Sequence, residues 1–225
     1  MRIRRKKHLE KRLSNVSDVL IVPDMDIKNV KLAIENKRYF DYKKLFNNDN
    51  PVELEVGCGK GGFILQKALL NKNVNFLAVE LLENIIVMAC ESVKKEKLTN
   101  VKFINSGAEY LPRYIKEKSI ANIYLNFSPP FPKTTYESRR LTSDFYIQAY
   151  KSFLNDGGCV FQKTDDKEFF DYSVCQFEKF GFKVKDVTQE LRQNIIENVE
   201  TEYEKMFKKK GMLAYALIAI KPKND

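Results

Sequence analysis

Short apolar runs alternate with amphipathic stretches five times after Pro51, and this alternation constrains the fold more than any other feature of the chain. Short runs rich in β-branched and aromatic residues are typical of strands, whereas apolar residues spaced three and four apart are typical of helices. Strands that alternate with helices predict βαβ units with right-handed crossovers and a mostly parallel sheet. The predicted strands are VELEV (52–56), VNFLAVE (74–80), VKFIN (101–105), IANIYLNF (120–127), GCVFQK (158–163), FKVKDVT (182–188) and MLAYALIAI (212–220). The predicted helices are 62–70, 83–97, 108–116, 138–154 and 167–180.

The C-terminal part of the chain breaks this alternation. Only an irregular polar stretch, residues 189–211, separates the last two predicted strands, so no crossover helix is expected there. We therefore predict a doubly wound α/β fold of the Rossmann-like kind, with a mostly parallel seven-stranded sheet and an antiparallel C-terminal edge strand. Residues 1–50 are polar and basic and are expected to form an arm and lead-in, and residues 51–225 the domain itself.

Charge and composition narrow the classes of partner. The chain has 39 Lys and Arg against 30 Asp and Glu, a net charge of +9, which favours a polyanion such as nucleic acid. The four cysteines form no C-x-x-C pair and His8 is the only histidine, so neither a metal site nor a disulfide framework is predicted. The longest apolar run, 212–220, is too short to span a membrane, and the N-terminus lacks the apolar core of a signal peptide. We expect a cytoplasmic protein, and the sequence leaves monomer and homodimer open.

A glycine-rich turn, GCGKGG, follows the first strand of the domain at residues 57–62. Glycines at this βα junction allow a tight turn and close approach of a ligand, and their spacing also satisfies the G-x-G-x-x-G pattern of dinucleotide sites. Glu80 ends the next strand, where an acid can bind a ribose diol, a group that NAD and S-adenosylmethionine share. Glu55 favours the second, because an anion beside the turn attracts a sulfonium and repels a pyrophosphate. The predicted cofactor-binding residues are Glu55, Gly57, Gly59, Gly61, Glu80, Asn105 and Asn126.

One further observation favours S-adenosylmethionine, and one alternative interpretation of the turn stays open. The chain has no separate substrate domain after the sheet, such as a dehydrogenase usually has, which again favours S-adenosylmethionine. The alternative is that the glycines form only a turn and that Glu55 is only an acid at a strand end.

Residues 126–133, NFSPPFPK, follow the fourth predicted strand and contain three prolines. Proline cannot continue a strand or a helix interior, so this segment predicts a stiff loop at the carboxyl edge, next to the cofactor turn. Its residues SPPF resemble the motif of amino-methyltransferases, which act on exocyclic amines of adenine or cytosine. Ser128 and Asn126 are the candidate catalytic residues.

The longer context resembles the bacterial tRNA (guanine-N7)-methyltransferase family, whose loop runs Asn-Phe-x-Asp-Pro-Trp-Pro-Lys. The resemblance implies a class I, S-adenosylmethionine-dependent enzyme that forms 7-methylguanosine in the variable loop of tRNA, at position 46 of the tRNA numbering. It also implies that Lys133 contacts phosphate and that Asp165 contacts the guanine Watson–Crick edge, unless Asp165 caps the following helix. The matching residues are Asn126, Phe127, Pro130, Pro132, Lys133, Arg139, Arg140, Leu141, Lys163, Thr164, Asp165, Thr201, Glu202, Tyr203 and Glu204. Those implied to bind substrate are Lys133, Asp165, Arg139, Arg140, Thr201, Glu202, Tyr203 and Glu204.

Three positions depart from the family pattern. Pro129 stands where the family has Asp, Phe131 where it has Trp, and Gly107 where it usually has Asp. Guanine N7 carries an in-plane lone pair and no proton, so its methylation needs orientation rather than a general base. Loss of one carboxylate is therefore expected to weaken catalysis and not to abolish it. A nucleic-acid amino-methyltransferase and a catalytically impaired RNA-binding homologue are the alternatives.

Basic residues are expected to bind the RNA backbone. Seven of the first twelve residues are Lys or Arg, and a second group follows the Thr-x-Tyr-Glu segment. Phosphate contacts of this kind give affinity and salt dependence, although a solvated tail is the alternative. The residues concerned are Arg2, Arg4, Arg5, Lys6, Lys7, Lys11, Arg12, Lys208, Lys209 and Lys210.

Overall fold

The structure is a computed structural model that describes residues 6–24, 26–189, 199–209, 211 and 214–223. The chain divides into two compact units, Met1–Ile115 and Lys116–Asp225. Arg2, Arg4, Arg5, Lys210 and the first two residues of the predicted strand 212–220 lie outside the described residues.

The first unit contains four parallel strands in the order β1-β4-β3-β2. Each connection between them carries a helix, which the alternating pattern predicts only for the strands after Pro51. The strands are β1 (Leu20–Ile21), β2 (Val52–Val56), β3 (Asn75–Glu80) and β4 (Val101–Asn105). The helices are α1 (Leu9–Ser14), α2 (Val30–Glu35), α3 (Tyr42–Phe46), α4 (Gly62–Leu70), α5 (Glu83–Lys95) and α6 (Leu111–Tyr114), with a 3₁₀ turn at Ala108–Tyr110.

The second unit contains two parallel strands followed by an antiparallel pair. Its order is β5-β6-β8-β7, in which β5 and β6 are parallel and β8 is antiparallel to both of its neighbours. The strands are β5 (Ile120–Asn126), β6 (Leu154–Thr164), β7 (Lys183–Asp186) and β8 (Tyr215–Ile220). The helices are α7 (Asp144–Phe153), α8 (Lys167–Lys179) and α9 (Glu202–Lys209), with a 3₁₀ segment at Thr134–Arg139.

The predicted α/β class, with its mostly parallel sheet and antiparallel C-terminal addition, is confirmed. The described residues contain eight strands rather than seven, because Leu20 and Ile21 in the lead-in pair with Phe103 and Ile104 of β4. The antiparallel strand β8 lies between β6 and β7, so β7 is the outermost strand of this unit. No helix in the described ranges is both long enough and apolar enough to cross a membrane.

The N-terminal lead-in is part of the core of the first unit. Leu9 of α1 and Val16 are buried with Val87 and Cys90 of α5 in one apolar cluster. Arg12 adds an ion pair with Glu91, in which Nε and Nη2 lie 2.7 and 2.6 Å from the two carboxylate oxygens. Residues 9–21 therefore belong to the core of this unit and do not form a free arm.

The stretch 189–211, predicted to be irregular, contains the helix α9. Thr201 and Glu204 form a capping box, in which each side chain accepts a hydrogen bond from the other residue's backbone N–H at 3.0 Å. The T-x-x-E pattern that starts this helix is visible in the sequence, but the polar residues around it obscure the helical signal. Residues 190–198 lie outside the described part of the chain.

Candidate active site

The glycine turn is built as the sequence predicts. Gly57, Gly59 and Gly61 have φ values of 81°, 55° and 79°, in the left-handed region that glycine adopts without strain. The backbone N–H groups of Gly57 and Cys58 donate to the carbonyl oxygen of Val79 at 2.8 and 2.9 Å, which ties the turn to the end of β3.

The three glycines differ in what surrounds them. A Cβ atom placed on Gly57 or Gly59 would meet nothing within 4 Å, so both positions face open space where a ligand can approach the backbone. A Cβ atom on Gly61 would lie 2.6 Å from that of Ala89 in α5. Gly61 therefore serves the packing of α4 against α5, and Gly57 and Gly59 remain the candidates for ligand contact.

Glu80 lies beside the turn at the end of β3. Its Oε2 accepts a hydrogen bond from the Gly59 N–H at 3.3 Å, and its Oε1 accepts one from the Leu82 N–H at 2.9 Å. Asn105, its register partner on β4, donates from Nδ2 to the carbonyl oxygens of Glu80 and Leu81 at 3.0 and 2.9 Å. Asn105 thus holds the ends of the two strands together, which makes it a positioning residue for Glu80.

Carboxylates give the turn a negative potential. Glu55 is only 2% exposed on β2, two residues before Gly57. Burial raises the pKa of the Cys58 thiol well above its usual range, and the negative charges of Glu55 and Glu80 raise that pKa further. Burial disfavours any charge, so only the smaller effect of Glu55 and Glu80 indicates negative charge beside the turn, and that charge favours a cationic ligand.

In the second unit, the loop after β5 is held in a strained backbone conformation. Phe127 and Phe131 have φ values of 49° and 44°, a region in which bulky residues are outliers that cost about 1–3 kcal/mol each. Phe127 is fixed by a backbone hydrogen bond from its N–H to the Lys163 carbonyl oxygen at 2.8 Å, and its ring stacks on that of Tyr203 at 5.9 Å. The predicted stiffness of the loop thus comes from these contacts as well as from its prolines.

Arg140 clamps the same loop. Its Nε and Nη2 donate to the carbonyl oxygens of Pro130 and Phe131 at 2.9 and 3.2 Å, and its Cζ lies 4.3 Å from the ring centroid of Tyr172. Arg139 instead lies exposed, with its Cζ 4.6 Å from the ring centroid of Tyr136. Of the two predicted substrate contacts, the structure therefore gives Arg140 a positioning role and leaves Arg139 at the surface.

Ser128 is a buried polar residue within this loop. Its side chain is 7% exposed, and its Oγ has no hydrogen-bond partner in the described ranges. Asn126, the other candidate catalytic residue, ends β5 opposite Lys163 of β6 in the strand register. A buried hydroxyl without a hydrogen-bond partner lowers the stability of the fold. Ser128 is therefore suited to donate a hydrogen bond to a ligand or to accept one from it.

Lys133 and Asp165 are both exposed, and neither side chain has a hydrogen bond or ion pair within the part of the chain that the structure describes. The cap of α8 is Asp166, whose Oδ1 accepts a hydrogen bond from the Phe169 N–H at 2.8 Å. The alternative that Asp165 caps this helix is therefore wrong. Both side chains are available for a ligand.

The Thr-Glu-Tyr-Glu segment, residues 201–204, contains residues that stabilise the fold and residues that are exposed to solvent. Glu204 is 2% exposed, and its Oε2 lies 2.8 Å from Nζ of Lys163, which also donates to the Val199 carbonyl oxygen at 3.2 Å. Together with the capping box, this buried pair attaches α9 to β6. Tyr203 is 58% exposed, and the side chain of Glu202 lies outside the described atoms. The sequence did not reveal the role of Lys163, because nothing local distinguishes a buried lysine pair from a surface one.

The comparisons with known proteins first define a class. The family model described as "Putative methyltransferase" matches residues 49–217. Solved structures with a similar fold include the 16S rRNA methyltransferase KamB, with a TM-score of 0.59 and 14% identity over 83% of this chain and 95% of that one. A methyltransferase from Pyrococcus furiosus has a TM-score of 0.53 and 20% identity over 80% of each chain. The family match and the fold thus define the chain as a methyltransferase.

Sequence relatives narrow this class to one family. A tRNA (guanine-N7)-methyltransferase of Streptococcus uberis is 37% identical over 97% of this chain and 99% of that protein. The enzyme of the same name from Geobacillus thermodenitrificans is 39% identical over 80% of this chain and 84% of its own length. The chain belongs to the tRNA (guanine-N7)-methyltransferase family, as the sequence motifs indicate.

Proposed function

We propose that this protein transfers a methyl group from S-adenosylmethionine to N7 of a guanine in the variable loop of tRNA. The observation that carries the proposal is the open glycine turn beside Glu80, in a chain that shares more than a third of its residues with an enzyme of that name along its whole length. A tRNA substrate also supports the cytoplasmic location that the sequence predicts.

The residues of the first unit fit this cofactor. The open faces of Gly57 and Gly59 allow a ligand to reach the backbone, and Glu80 offers carboxylate oxygens to a ribose diol. Glu55 adds negative charge beside the turn, which stabilises a positive sulfonium. S-adenosylmethionine, when bound there, supplies an electrophilic methyl group.

The residues of the second unit orient the acceptor. Guanine N7 needs no general base, so the barrier is lowered mainly by holding the base in line with the methyl group. The free carboxylate of Asp165 is suited to accept hydrogen bonds from guanine N1–H and N2–H, and the free ammonium of Lys133 is suited to a phosphate. Tyr203, exposed beside Phe127, offers a ring on which a base can stack.

Nucleoside analysis tests the proposal. Incubation of the protein with tRNA and methyl-labelled S-adenosylmethionine is expected to yield labelled 7-methylguanosine after digestion. A matched tRNA with 7-deazaguanosine at the variable-loop position lacks the accepting nitrogen, and labelling at that position should disappear.

The other outcomes separate the competing functions. A labelled exocyclic amine would identify an amino-methyltransferase, for which the free hydroxyl of Ser128 is the observation in favour. Binding of tRNA and cofactor without any methylated nucleoside would identify an impaired RNA-binding homologue. Labelling that persists in the deaza tRNA would place the acceptor at another nucleotide.

A further inference from the structure

A buried polar chain links three elements of the second unit. Its centre is Oγ of Ser173 in α8, and Ser173 and Thr142 are both 0% exposed. This oxygen lies 2.7 Å from the Phe169 carbonyl oxygen, 2.9 Å from Oγ1 of Thr142 and 3.0 Å from Nε2 of Gln162. The chain thus joins α8 to strand β6 and to the segment between the 3₁₀ turns of 134–139 and α7.

The direction of each hydrogen bond in this chain follows from the chemistry of the partners. A carbonyl oxygen can only accept, so the Ser173 hydroxyl donates to Phe169. Its single proton is then used, and both the Thr142 hydroxyl and the Gln162 amide donate to it. Ser173 therefore has its full set of one donated and two accepted hydrogen bonds. Because a broken bond in this buried place is unfavourable, the chain favours a single arrangement of these residues.

Thr142 lies next to the arginine that holds the loop after β5. Arg140 precedes it by two residues, and the Ser143 N–H donates to the Arg140 carbonyl oxygen at 2.9 Å. The Arg140 side chain in turn donates to the carbonyl oxygens of Pro130 and Phe131 at 2.9 and 3.2 Å. The place of this guanidinium, and with it the shape of the loop, therefore depends on where Thr142 is fixed.

The helix α8 supports the same arginine at a second point. Tyr172 precedes Ser173, and its ring centroid lies 4.3 Å from Cζ of Arg140. Nε2 of Gln176 donates to the Tyr172 hydroxyl at 2.7 Å and to Oδ1 of Asp144 at 3.0 Å, which ties that ring to the start of α7. Adjacent residues of one helix thus support both the arginine and the threonine.

The strand β6 fixes the start of the loop. Gln162 precedes Lys163, whose carbonyl oxygen accepts a hydrogen bond from the Phe127 N–H at 2.8 Å. The side chain of Gln162 is 1% exposed and its amide bonds to Ser173, as described above. Ser173 therefore connects the strand that holds the start of the loop to the segment whose arginine holds its centre.

We infer that Ser173 and Thr142 are positioning residues for methyl transfer, because their hydrogen bond sets the place of Arg140 and thereby that of the loop 126–133. The inference rests on the proposed function and deepens it, since this loop carries Lys133, one of the residues proposed to orient the acceptor. A small displacement of the loop disturbs the alignment needed in the reaction more than it disturbs binding.

Steady-state methylation of tRNA tests this role with two substitutions at Thr142. Thr142→Val keeps the branched shape and removes the donor, while Ser173 still bonds to Phe169 and Gln162. We expect it to lower kcat about tenfold, with changes below about twofold in KM for tRNA and in S-adenosylhomocysteine affinity. Thr142→Ser keeps the hydroxyl and should retain at least about half of the wild-type kcat.

A double variant measures whether Thr142 acts through Arg140. If both residues set the same loop position, the second substitution has little left to disturb. Thr142→Val/Arg140→Lys should therefore have a kcat within about twofold of that of Arg140→Lys alone.

A variant at the centre of the chain gives a second measurement. Ser173→Ala removes the acceptor of Thr142 and Gln162, and it should lower kcat at least as much as Thr142→Val. Ser92→Ala is the matched control and should keep the wild-type kcat. Oγ of Ser92 in α5 donates to the Met88 carbonyl oxygen at 2.9 Å, the same bond to the residue four positions earlier that Ser173 makes, but in the first unit.

Each outcome decides a separate point. A wild-type kcat in folded Thr142→Val, an equal loss in Thr142→Ser or in Ser92→Ala, a loss confined to KM, or multiplicative effects in the double variant overturns the positioning role and leaves the proposed function standing. If Thr142→Val and Ser173→Ala fail to fold while Thr142→Ser folds, the chain serves stability alone and the role is likewise overturned. No methylated guanosine from the wild-type protein overturns the proposed function, and the inference falls with it.

Discussion

At the scale of single residues, the most clearly defined prediction concerns the effect of Glu80 on cofactor affinity. Its carboxylate is oriented by the N–H groups of Gly59 and Leu82, and we propose that it binds the ribose diol of the cofactor. Glu80→Ala should lower S-adenosylmethionine affinity at least about tenfold, since a bidentate charge-assisted contact is worth roughly 1.5–3 kcal/mol. Calorimetry measures this, and a melting curve provides the control for folding. Unchanged affinity in a folded variant would contradict the assignment.

The substitution Pro129→Asp tests whether the methylation rate depends on orientation of the guanine or on a carboxylate in the loop. If orientation dominates, Pro129→Asp should leave the methylation rate within roughly tenfold, or about 1.4 kcal/mol of barrier. Asp165→Ala should lower the rate far more, because the guanine would lose the acceptor that we propose for its Watson–Crick edge. The matched control is Glu168→Ala, because Glu168 is an exposed acid in α8. Asp166→Ala is not suitable, because Asp166 caps that helix. A gain of several hundredfold in Pro129→Asp would show that the natural site is impaired.

The sequence identified these residues to different degrees, for physical reasons. Glu80 and the open glycines could be predicted because strand ends and left-handed turns leave a local pattern. Thr201 and Glu204 were assigned to substrate from resemblance, but their polar atoms are used in a capping box and in a buried pair with Lys163. The pair with Lys163 joins residues 41 positions apart, which no local pattern reveals.

At the scale of elements, the loop after β5 depends on Arg140 for its shape. The guanidinium binds two loop carbonyls and stacks on Tyr172 at the same time, and lysine cannot reproduce that planar arrangement. Arg140→Lys should therefore reduce kcat for tRNA methylation at least about tenfold, with little change in S-adenosylhomocysteine affinity. Arg139→Lys is the matched control, because the neighbouring arginine lies at the surface over Tyr136. Equal losses in the two variants would contradict a special role for Arg140: lysine keeps the positive charge, so a loss at exposed Arg139 would mean that both positions need a guanidinium.

The boundaries of helices and strands were predicted best where local sequence features, such as glycines and short apolar runs, mark them. The helix α4 begins at Gly62 and ends at Leu70, as predicted, and strands β2 and β4 have the predicted bounds. The helix predicted from 138 begins only at Asp144, because Thr134–Arg139 forms a 3₁₀ segment, which the Arg140 N–H closes by donating to the Glu137 carbonyl oxygen at 3.0 Å. Helical periodicity runs through both segments and does not show where one ends.

At the scale of the whole molecule, alternation determined the fold class, but the lead-in was misjudged. Residues 9–21 adjoin a strongly basic N-terminus and are therefore predicted to belong to the arm, although Leu9, Leu13, Val16 and Leu20 follow the three- and four-residue spacing of a helix face. Leu9, Val16, Val19 and Leu20 are nevertheless buried in the core of the first unit. Burial against a distant helix is a tertiary effect, which this spacing permits but does not by itself reveal.

This packing changes how the basic N-terminus is best tested. Deleting residues 1–12 would remove buried Leu9 and the Arg12–Glu91 pair, so weaker tRNA binding could reflect unfolding. Lys7 and Lys11 are exposed, and the double substitution Lys7→Ala/Lys11→Ala removes charge without touching those contacts. If both lysines bind phosphates, tRNA affinity falls at low salt, while cofactor affinity is unchanged.

The salt dependence of tRNA binding then gives a quantitative test. The slope of log K against log salt should become shallower by roughly 0.7–0.9 for each lysine that binds a phosphate in the wild-type protein. Lys72→Ala/Lys95→Ala is the matched control, since both lysines are exposed in the same unit near the amino ends of β3 and β4, opposite the glycine turn. An equal change in both double variants would mean that the tRNA responds only to net charge. An unchanged slope in Lys7→Ala/Lys11→Ala would mean that neither Lys7 nor Lys11 binds a phosphate.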